Sequence, residues 1–341
     1  MNKLRVMVLM DQELVPPDSI EGVSDEEMLN WKTEYDVLAT LRDMGHEAEP
    51  LGVSDDLGLV RRSIEESQPS IAFNLLEEFH GMALFDHHVT SYLELSRLPY
   101  TGCNPRGLML AHDKPLSKKI LAYHRILTPH FLVFERGRKV KLRKRYPYPL
   151  LVKSAVEEAS LGISHQSIVR DERELRDRID YVHGELKTDA LVEEFIEGRE
   201  LYVGVLGNRR LQTFPVWEMI FKNLPADIPN IATRRVKWDT AYQQEVGIET
   251  QAAEGLSETT RLTISKLCKR VFRVLSLSGY ARMDLRMTEE GRIYVLEANP
   301  NPNLSYGEDL AESAALAGVH YDRLLQRILN LGLNYKPKWY P

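Results

Sequence analysis

Residues Tyr280–Pro302 read YARMDLRMTEEGRIYVLEANPNP. Two alternating stretches flank Glu289-Glu290-Gly291, the pattern of a β-hairpin. With the turn centred on Glu290-Gly291, Asp284 falls opposite Glu297 and Arg282 opposite Asn299. The period of two then puts all four side chains on one face. The other face carries Met283, Leu285, Leu296 and Ala298, which suits a core. Carboxylates facing each other with Cβ atoms roughly 5 Å apart destabilise a sheet. Folding alone gives no reason to place them there, whereas a bound divalent cation does. Asp284, Glu297 and the Asn299 carbonyl are hard oxygen ligands, suited to Mg²⁺ shared with substrate phosphates. Arg282 on the same face supplies fixed positive charge for an anionic transition state. The competing reading is an exposed hairpin with scattered charges.

Upstream, Lys153 ends the apolar strand Leu150–Val152, just before the small-residue loop Glu157–Gly162. A lysine there, with loop N–H groups, can meet a polyphosphate, although on its own it reads equally well as a surface lysine. Neither GxxxxGK[ST] nor GxGxxG occurs, so this is not a Walker A site. Leu191–Glu200, LVEEFIEGRE, is an apolar strand interrupted by Glu193 and Glu194. Such carboxylates can accept from an adenine amino group or ribose hydroxyls, and Phe195 and Ile196 can line an apolar base pocket. A half-exposed strand edge would look the same.

These segments belong to a chain of 341 residues, about two or three domains by length. Lys+Arg 44 against Asp+Glu 50 gives a net charge of −6, which argues against a protein that coats nucleic acid or an anionic membrane. The basic run Arg138–Arg145 (RKVKLRKR) reads as a solvated face, without interleaved stacking aromatics. Cys103 and Cys268 lack CxxC spacing, which fits a reducing cytoplasm. No apolar run approaches the roughly 18 residues of a membrane span, and Val6–Met10 reads as a first strand rather than a signal peptide. Strands at Val6–Met10 and Ser70–Leu76 alternate with helices around Trp31–Leu41 and Val89–Leu95, which predicts a parallel sheet covered by helices. Further helices are expected at Pro115–Leu127, Thr260–Leu277 and Leu310–Leu331, and strands at Pro129–Phe134, Leu201–Leu206 and Leu211–Pro215.

Taken together, the chain resembles the ATP-grasp superfamily, and within it the D-alanine–D-alanine ligases. The resemblance runs from about Phe73 to Leu331. It is carried by His80-Gly81, LELSRLPYTG at Leu93–Gly102, HDKPLSK at His112–Lys118, PLLVKSAVEEASLGIS at Pro149–Ser164, LVEEFIEGRE, RMDL and VLEANPNP. It implies an α/β chain, α+β in its ATP-grasp part. The expected units are an N-terminal parallel-sheet domain (1–110), a central small lobe (111–188) and a C-terminal large lobe (189–341). It implies an ADP-forming carboxylate–amine ligase, working through an acylphosphate on a small amino acid or peptide carboxylate. Lys114 and Lys153 would hold phosphates, with Ser160 in the phosphate loop. Glu193 and Glu194, with the main chain of Phe195 and Ile196, would meet adenine, and Glu200 the ribose. Asp284, Glu297 and Asn299 would bind two Mg²⁺, with Mn²⁺ as a substitute. Arg282 would stabilise the tetrahedral intermediate, and Lys237-Trp238 resembles the family's mobile Lys-Tyr loop. The implied partners are small-molecule amino acids or peptides, without nucleic acid or membrane. The resembling ligases are usually dimers, so a homodimer is expected.

The departures cluster on the amino-acid side. The family's GGxSxE is missing, since Met10–Leu14 reads MDQEL, and Glu27 is the nearest counterpart of its glutamate. Leu84-Phe85-Asp86 follows His80-Gly81 in place of a GED-like segment. Asn303 stands where the family has a glycine facing the oxyanion. By ungapped count, Glu308 falls where a serine meets the second substrate's carboxylate. We read this as retained ATP chemistry with altered acceptors. His80, Asp86, His87 and His88 suggest a transition-metal site, but adjacent histidines do not share a helix face, so structural or substrate-facing roles are expected. The rival readings are an ATP-grasp kinase acting on a small molecule, a nucleotide-binding module without turnover, and nucleic-acid binding through Arg138–Arg145.

Overall fold

The computed structural model describes residues 3–17, 19–142, 147–156, 162–223, 231, 236, 242–243 and 246–337. Arg5–Met10 (β1), Glu47–Gly52 (β2) and Ile71–Asn74 (β3) form a parallel sheet in the order β2-β1-β3. β1 is apolar on both faces, as a central parallel strand must be. Val6, Val8 and Met10 pack under the helices Lys32–Asp43 and Tyr321–Leu333. Met7 and Leu9 pack against Leu57–Ser67 and Asp86–Leu95. One helix of the N-terminal sheet therefore comes from the far end of the chain. The helix expected over Leu310–Leu331 is two, Asp309–Leu316 and Tyr321–Leu333, separated at Gly318, whose φ of 77° ends the first.

Phe131–Phe134 (β4), Leu150–Ser154 (β5), Ile168–Val169 (β6) and Ala190–Glu194 (β7) form an antiparallel sheet in the order β4-β7-β5-β6. Leu150, Val152, Ala190 and Val192 face the helix Glu172–Tyr181 through Leu175 and Ile179. By alternation, the opposite face carries Lys153 and Glu193. Arg199–Leu206 (β8), Gln212–Thr213 (β9), Trp217–Phe221 (β10), Ile248–Ala252 (β11), Tyr280–Met287 (β12) and Ile293–Pro300 (β13) build the largest sheet. Its order is β11-β10-β8-β12-β13, with β9 on β8. The amphipathic helix Glu258–Val274 covers its back, where Ile264, Cys268 and Phe272 meet Leu201, Val203, Ala281 and Met283.

The hairpin register at the site is the expected one: Arg282 pairs with Asn299 and Asp284 with Glu297. Towards the turn the register shifts, because a β-bulge follows Asp284 and Leu285 pairs with Val295. The extra residue reverses the alternation of β13. Val295 and Ala298 are buried in the core, whereas Leu296, expected there, is only half-buried. Arg138–Leu142 has neither helix nor strand, and the rest of the basic run lies outside the described residues. Of the loop Glu157–Gly162, only Gly162 is described.

Candidate active site between two antiparallel sheets

The uncovered face of the largest sheet is charged where its back is apolar. β8 presents Glu200 and Tyr202, β12 presents Arg282, Asp284 and Arg286, and β13 presents Glu297 and Asn299. Charged side chains are rarely buried unless paired, and each of these has a partner. Arg282 donates twice to Asp284, Nε to Oδ1 at 2.8 Å and Nη2 to Oδ2 at 3.0 Å. Its Nη1 stands 3.5 Å from Asp309 Oδ2, and its guanidinium lies 4.7 Å from the Tyr202 ring centroid. Burial disfavours the guanidinium charge, but Asp284 and Asp309 outweigh it and hold Arg282 above its ordinary range. Arg286 Nη2 donates to Glu200 Oε2 at 2.5 Å, and the Tyr202 hydroxyl donates to Glu200 Oε1 at 2.8 Å. Burial and the Glu200 carboxylate push the Tyr202 phenol up, so it stays a neutral donor.

From the facing sheet, Glu193 of β7 meets two lysines. Lys118 Nζ stands 2.6 Å from Oε1 and Lys153 Nζ 3.0 Å from Oε2. Glu193 and Lys118 are each only 2% exposed. Burial would raise the Glu193 carboxyl, but the two ammonium groups hold it below the usual carboxylate range. Lys118 also donates to Thr128 Oγ1 at 3.0 Å and to the Leu296 carbonyl at 2.9 Å. That carbonyl belongs to the bulge residue, so Lys118 joins β7 to the bulge that sets the register of Glu297. Lys114 Nζ lies 3.7 Å from Glu297 Oε2. Lys114 thus faces Glu297 of the hairpin while Lys118 and Lys153 pair with Glu193 of the facing sheet, an arrangement that can hold a polyphosphate and its counter-ion.

The donor set fits a hard divalent cation. Asp284 and Glu297 stand opposite each other. The Asn299 amide nitrogen is buried without a hydrogen-bond partner among the described residues. Turned over, the same amide offers its carbonyl oxygen.

The remaining expected residues are placed less uniformly. Phe195 and Ile196 follow β7, Ile196 buried and Phe195 half-buried, with the Arg286 guanidinium 5.8 Å from the Phe195 ring centroid. Glu194 is half-buried at the end of β7. Ser160 and Lys237, with Trp238, lie outside the described residues. Glu27 lies in a surface capping box: Ser24 N and Oγ both donate to Glu27 Oε2, at 3.1 and 2.9 Å. Those bonds hold the Glu27 carboxyl below its ordinary range. His80 is exposed at positive φ beyond β3. Neither residue is brought to the Arg282–Asp284–Glu297 group. Asn303 turns to the N-terminal domain, where its Oδ1 accepts from Thr33 Oγ1 and Ser305 N. Glu308 is exposed and precedes the helix Asp309–Leu316. The histidines have structural contacts: His87 Nδ1 meets the Leu84 carbonyl at 2.6 Å, and Asp86 stands 3.5 Å from His112. Among the described residues no group of three or more His, Cys, Asp or Glu could hold a metal by itself.

The sequence reading missed Lys118, Tyr202, Arg286 and Asp309. Lys118 had a signal, since it lies one helical turn from Lys114. Arg286 had another, since it continues the alternation of Arg282 and Asp284. Asp309 had none, because its partner is distant in sequence.

Comparison with known proteins adds an independent line. The family described as D-ala D-ala ligase C-terminus matches residues 120–330. A D-alanine–D-alanine ligase of Syntrophotalea carbinolica is 32% identical over 310 residues, covering 90% of this chain and 92% of the relative. An uncharacterized protein, y4sG, of Sinorhizobium fredii is 30% identical over 303 residues, covering 86% and 85%. The fold matches the crystal structure of D-alanine–D-alanine ligase from Bacillus anthracis complexed with ATP, with a TM-score of 0.74, 24% identity and 97% of each chain covered.

Proposed function

Because this chain belongs to the D-alanine–D-alanine ligase family, we propose that it joins a small amino acid or peptide carboxylate to an amine, using ATP and releasing ADP and phosphate. The observation that carries this reading is the Asp284–Glu297 pair, with Arg282 and Asn299 on the same face and the Lys153–Glu193 face opposite.

In the first step a carboxylate oxygen attacks the γ-phosphorus of ATP and ADP leaves. In the second the amine nitrogen attacks the acyl carbon, phosphate leaves with the bridging oxygen, and the nitrogen loses a proton. Lys114 and Lys153 bind the phosphates, the lysine ion pairs holding them in place before the nucleotide arrives. The carboxylate of Glu193, fixed by Lys118 and Lys153, faces the adenine amino group, and Ile196 and Phe195 wall the base. Glu200, oriented by Tyr202 and Arg286, accepts from ribose. Asp284, Glu297 and Asn299 would hold Mg²⁺, which when bound neutralises phosphate charge. Arg282 holds its positive charge beside the acyl carbon, where the oxyanion develops. Because Asp284 and Tyr202 fix its plane beforehand, little reorganisation is needed in the transition state. Ser160 and Lys237 complete the phosphate side. Asn303 and Glu308 are proposed on the amino-acid side; Glu27, held in its capping box, and His80, exposed beyond β3, are not given a substrate role. Among the described residues no helix is long and apolar enough to cross a membrane, and we place the reaction in the cytoplasm.

The test is an ADP-release assay over pairs of amino acids, with mass spectrometry of the products. Amide product with ADP and phosphate, formed only when carboxylate and amine are both present, supports the reading. A stable phosphorylated product with no amide would replace it with a kinase.

A further inference from the structure

Strand β12 works as a ruler along the site. Arg286, with Glu200, marks the ribose end, Asp284 with Glu297 the phosphate position, and Arg282 with Asn299 the reaction centre. Successive members stand roughly 7 Å apart. The acceptor amine must therefore arrive beyond Arg282, where the loop Asn303–Glu308 and Asp309 border the site.

A substrate carboxylate arriving there would seek the guanidinium of Arg282, whose nitrogens each already face a carboxylate, leaving single N–H groups for an oxyanion but no free fork for a carboxylate. Nε and Nη2 serve Asp284, and Nη1 faces Asp309, whose side chain is 12% exposed. The bidentate edge, the strongest carboxylate-binding geometry, is filled by Asp284, and Tyr202 covers one face of the plane. The neighbouring cation, Lys32, is likewise engaged, by Asp36 Oδ2 at 2.9 Å and the Tyr306 carbonyl at 2.5 Å. Glu308 adds a further carboxylate at the rim, with no ion pair among the described residues.

Resting on the ligase reading above, we infer that the acceptor brings no free carboxylate to this end of the site: it carries a neutral or cationic group beside the attacking nitrogen, and Asp309 and Glu308 determine that choice.

The test first incubates the protein with ATP, Mg²⁺, hydroxylamine and single amino acids or dipeptides as carboxylate donors. Hydroxylamine is small and uncharged, so it traps an acylphosphate as hydroxamate whatever the acceptor preference. Donors that give hydroxamate are then paired with three near-isosteres: alanine, alaninamide and 1,2-diaminopropane. The expected result is kcat/KM for alaninamide or the diamine roughly a hundredfold above that for alanine. Glu308→Ser and Asp309→Ser should each shrink that preference by about tenfold or more, chiefly through the acceptor KM. Alanine used as well as its amide by the unaltered protein would overturn the inference while leaving the ligase reading intact. So would a preference unmoved in both variants. Absence of hydroxamate with every donor would overturn the ligase reading and the inference with it.

Discussion

Arg282 grips Asp284 through two parallel hydrogen bonds, at 2.8 and 3.0 Å, although the two residues lie on the same strand. Glu297, directly opposite Asp284, meets Lys114 only at 3.7 Å and its side chain is 25% exposed. The two carboxylates that would share a cation are therefore not equivalent without it.

Asp284→Asn should lower stability in the absence of Mg²⁺ by about 1–3 kcal/mol, since it removes a charged acceptor from a buried guanidinium. Glu297→Gln should change it by less than about 1 kcal/mol, because relief of the opposed charges offsets a weak ion pair. Both should abolish turnover. Denaturant titration in chelator, beside an ADP assay, checks this. Equal destabilisation by the two would contradict the asymmetry.

Arg282→Lys keeps the charge but loses the planar fork. We expect kcat to fall about 10²–10³-fold, the size typical of losing one preorganised oxyanion donor, with the KM for ATP little changed. Collapse of nucleotide affinity with kcat preserved would make Arg282 a phosphate ligand instead.

Lys118→Met should destabilise the fold by about 3 kcal/mol, the low end for breaking a buried ion pair, because Lys153 still holds Glu193. It also frees the Leu296 carbonyl at the bulge, so the Mg²⁺ concentration needed for half-maximal activity should rise. Denaturation and an Mg²⁺ titration read the two effects separately. Wild-type values for both would show that Lys118 pins nothing.

Glu34 is buried near the start of the helix Lys32–Asp43. Burial, with Asp11 and Asp36 nearby and only partial relief from its backbone N–H, pushes its carboxyl from 4.5 to about 7. The native state thus binds the proton more tightly than the unfolded chain. Stability attributable to Glu34 falls as pH rises from about 4.5 to about 7, by at most about 3 kcal/mol, and is flat outside that window. Glu34→Gln should flatten the slope and leave the protein more stable than wild type at pH 8. A variant with the wild-type pH dependence would contradict the assignment.

The hairpin could be read from sequence because its face is set by a period of two near a tight turn, both local properties. Asp284 lies opposite Glu297 although the turn itself sits differently, since the bulge at Leu296 restores the register beyond it. Nothing local announces a bulge, and so Val295 rather than Leu296 enters the core. The helix Tyr321–Leu333 shows the same limit. Its amphipathic pattern is legible, but its packing under β1, more than 300 residues earlier, is a tertiary fact. Glu193 could be marked as an odd carboxylate in an apolar strand. That it is clamped by Lys118 and Lys153 depends on a helix and a strand meeting, which no spacing encodes. On the amino-acid side, Glu27 is matched only by position to the glutamate of the missing GGxSxE, and the structure engages it with Ser24 in a capping box.

On the proposed mechanism a carboxylate is activated as an acylphosphate between these two sheets. The most direct measurement supplies a turning-over donor with both carboxylate oxygens labelled as ¹⁸O, together with ATP, Mg²⁺ and an accepted amine. One labelled oxygen should leave in each inorganic phosphate and one should stay in the amide carbonyl. Unlabelled phosphate, with both labels retained in the donor, would contradict the account.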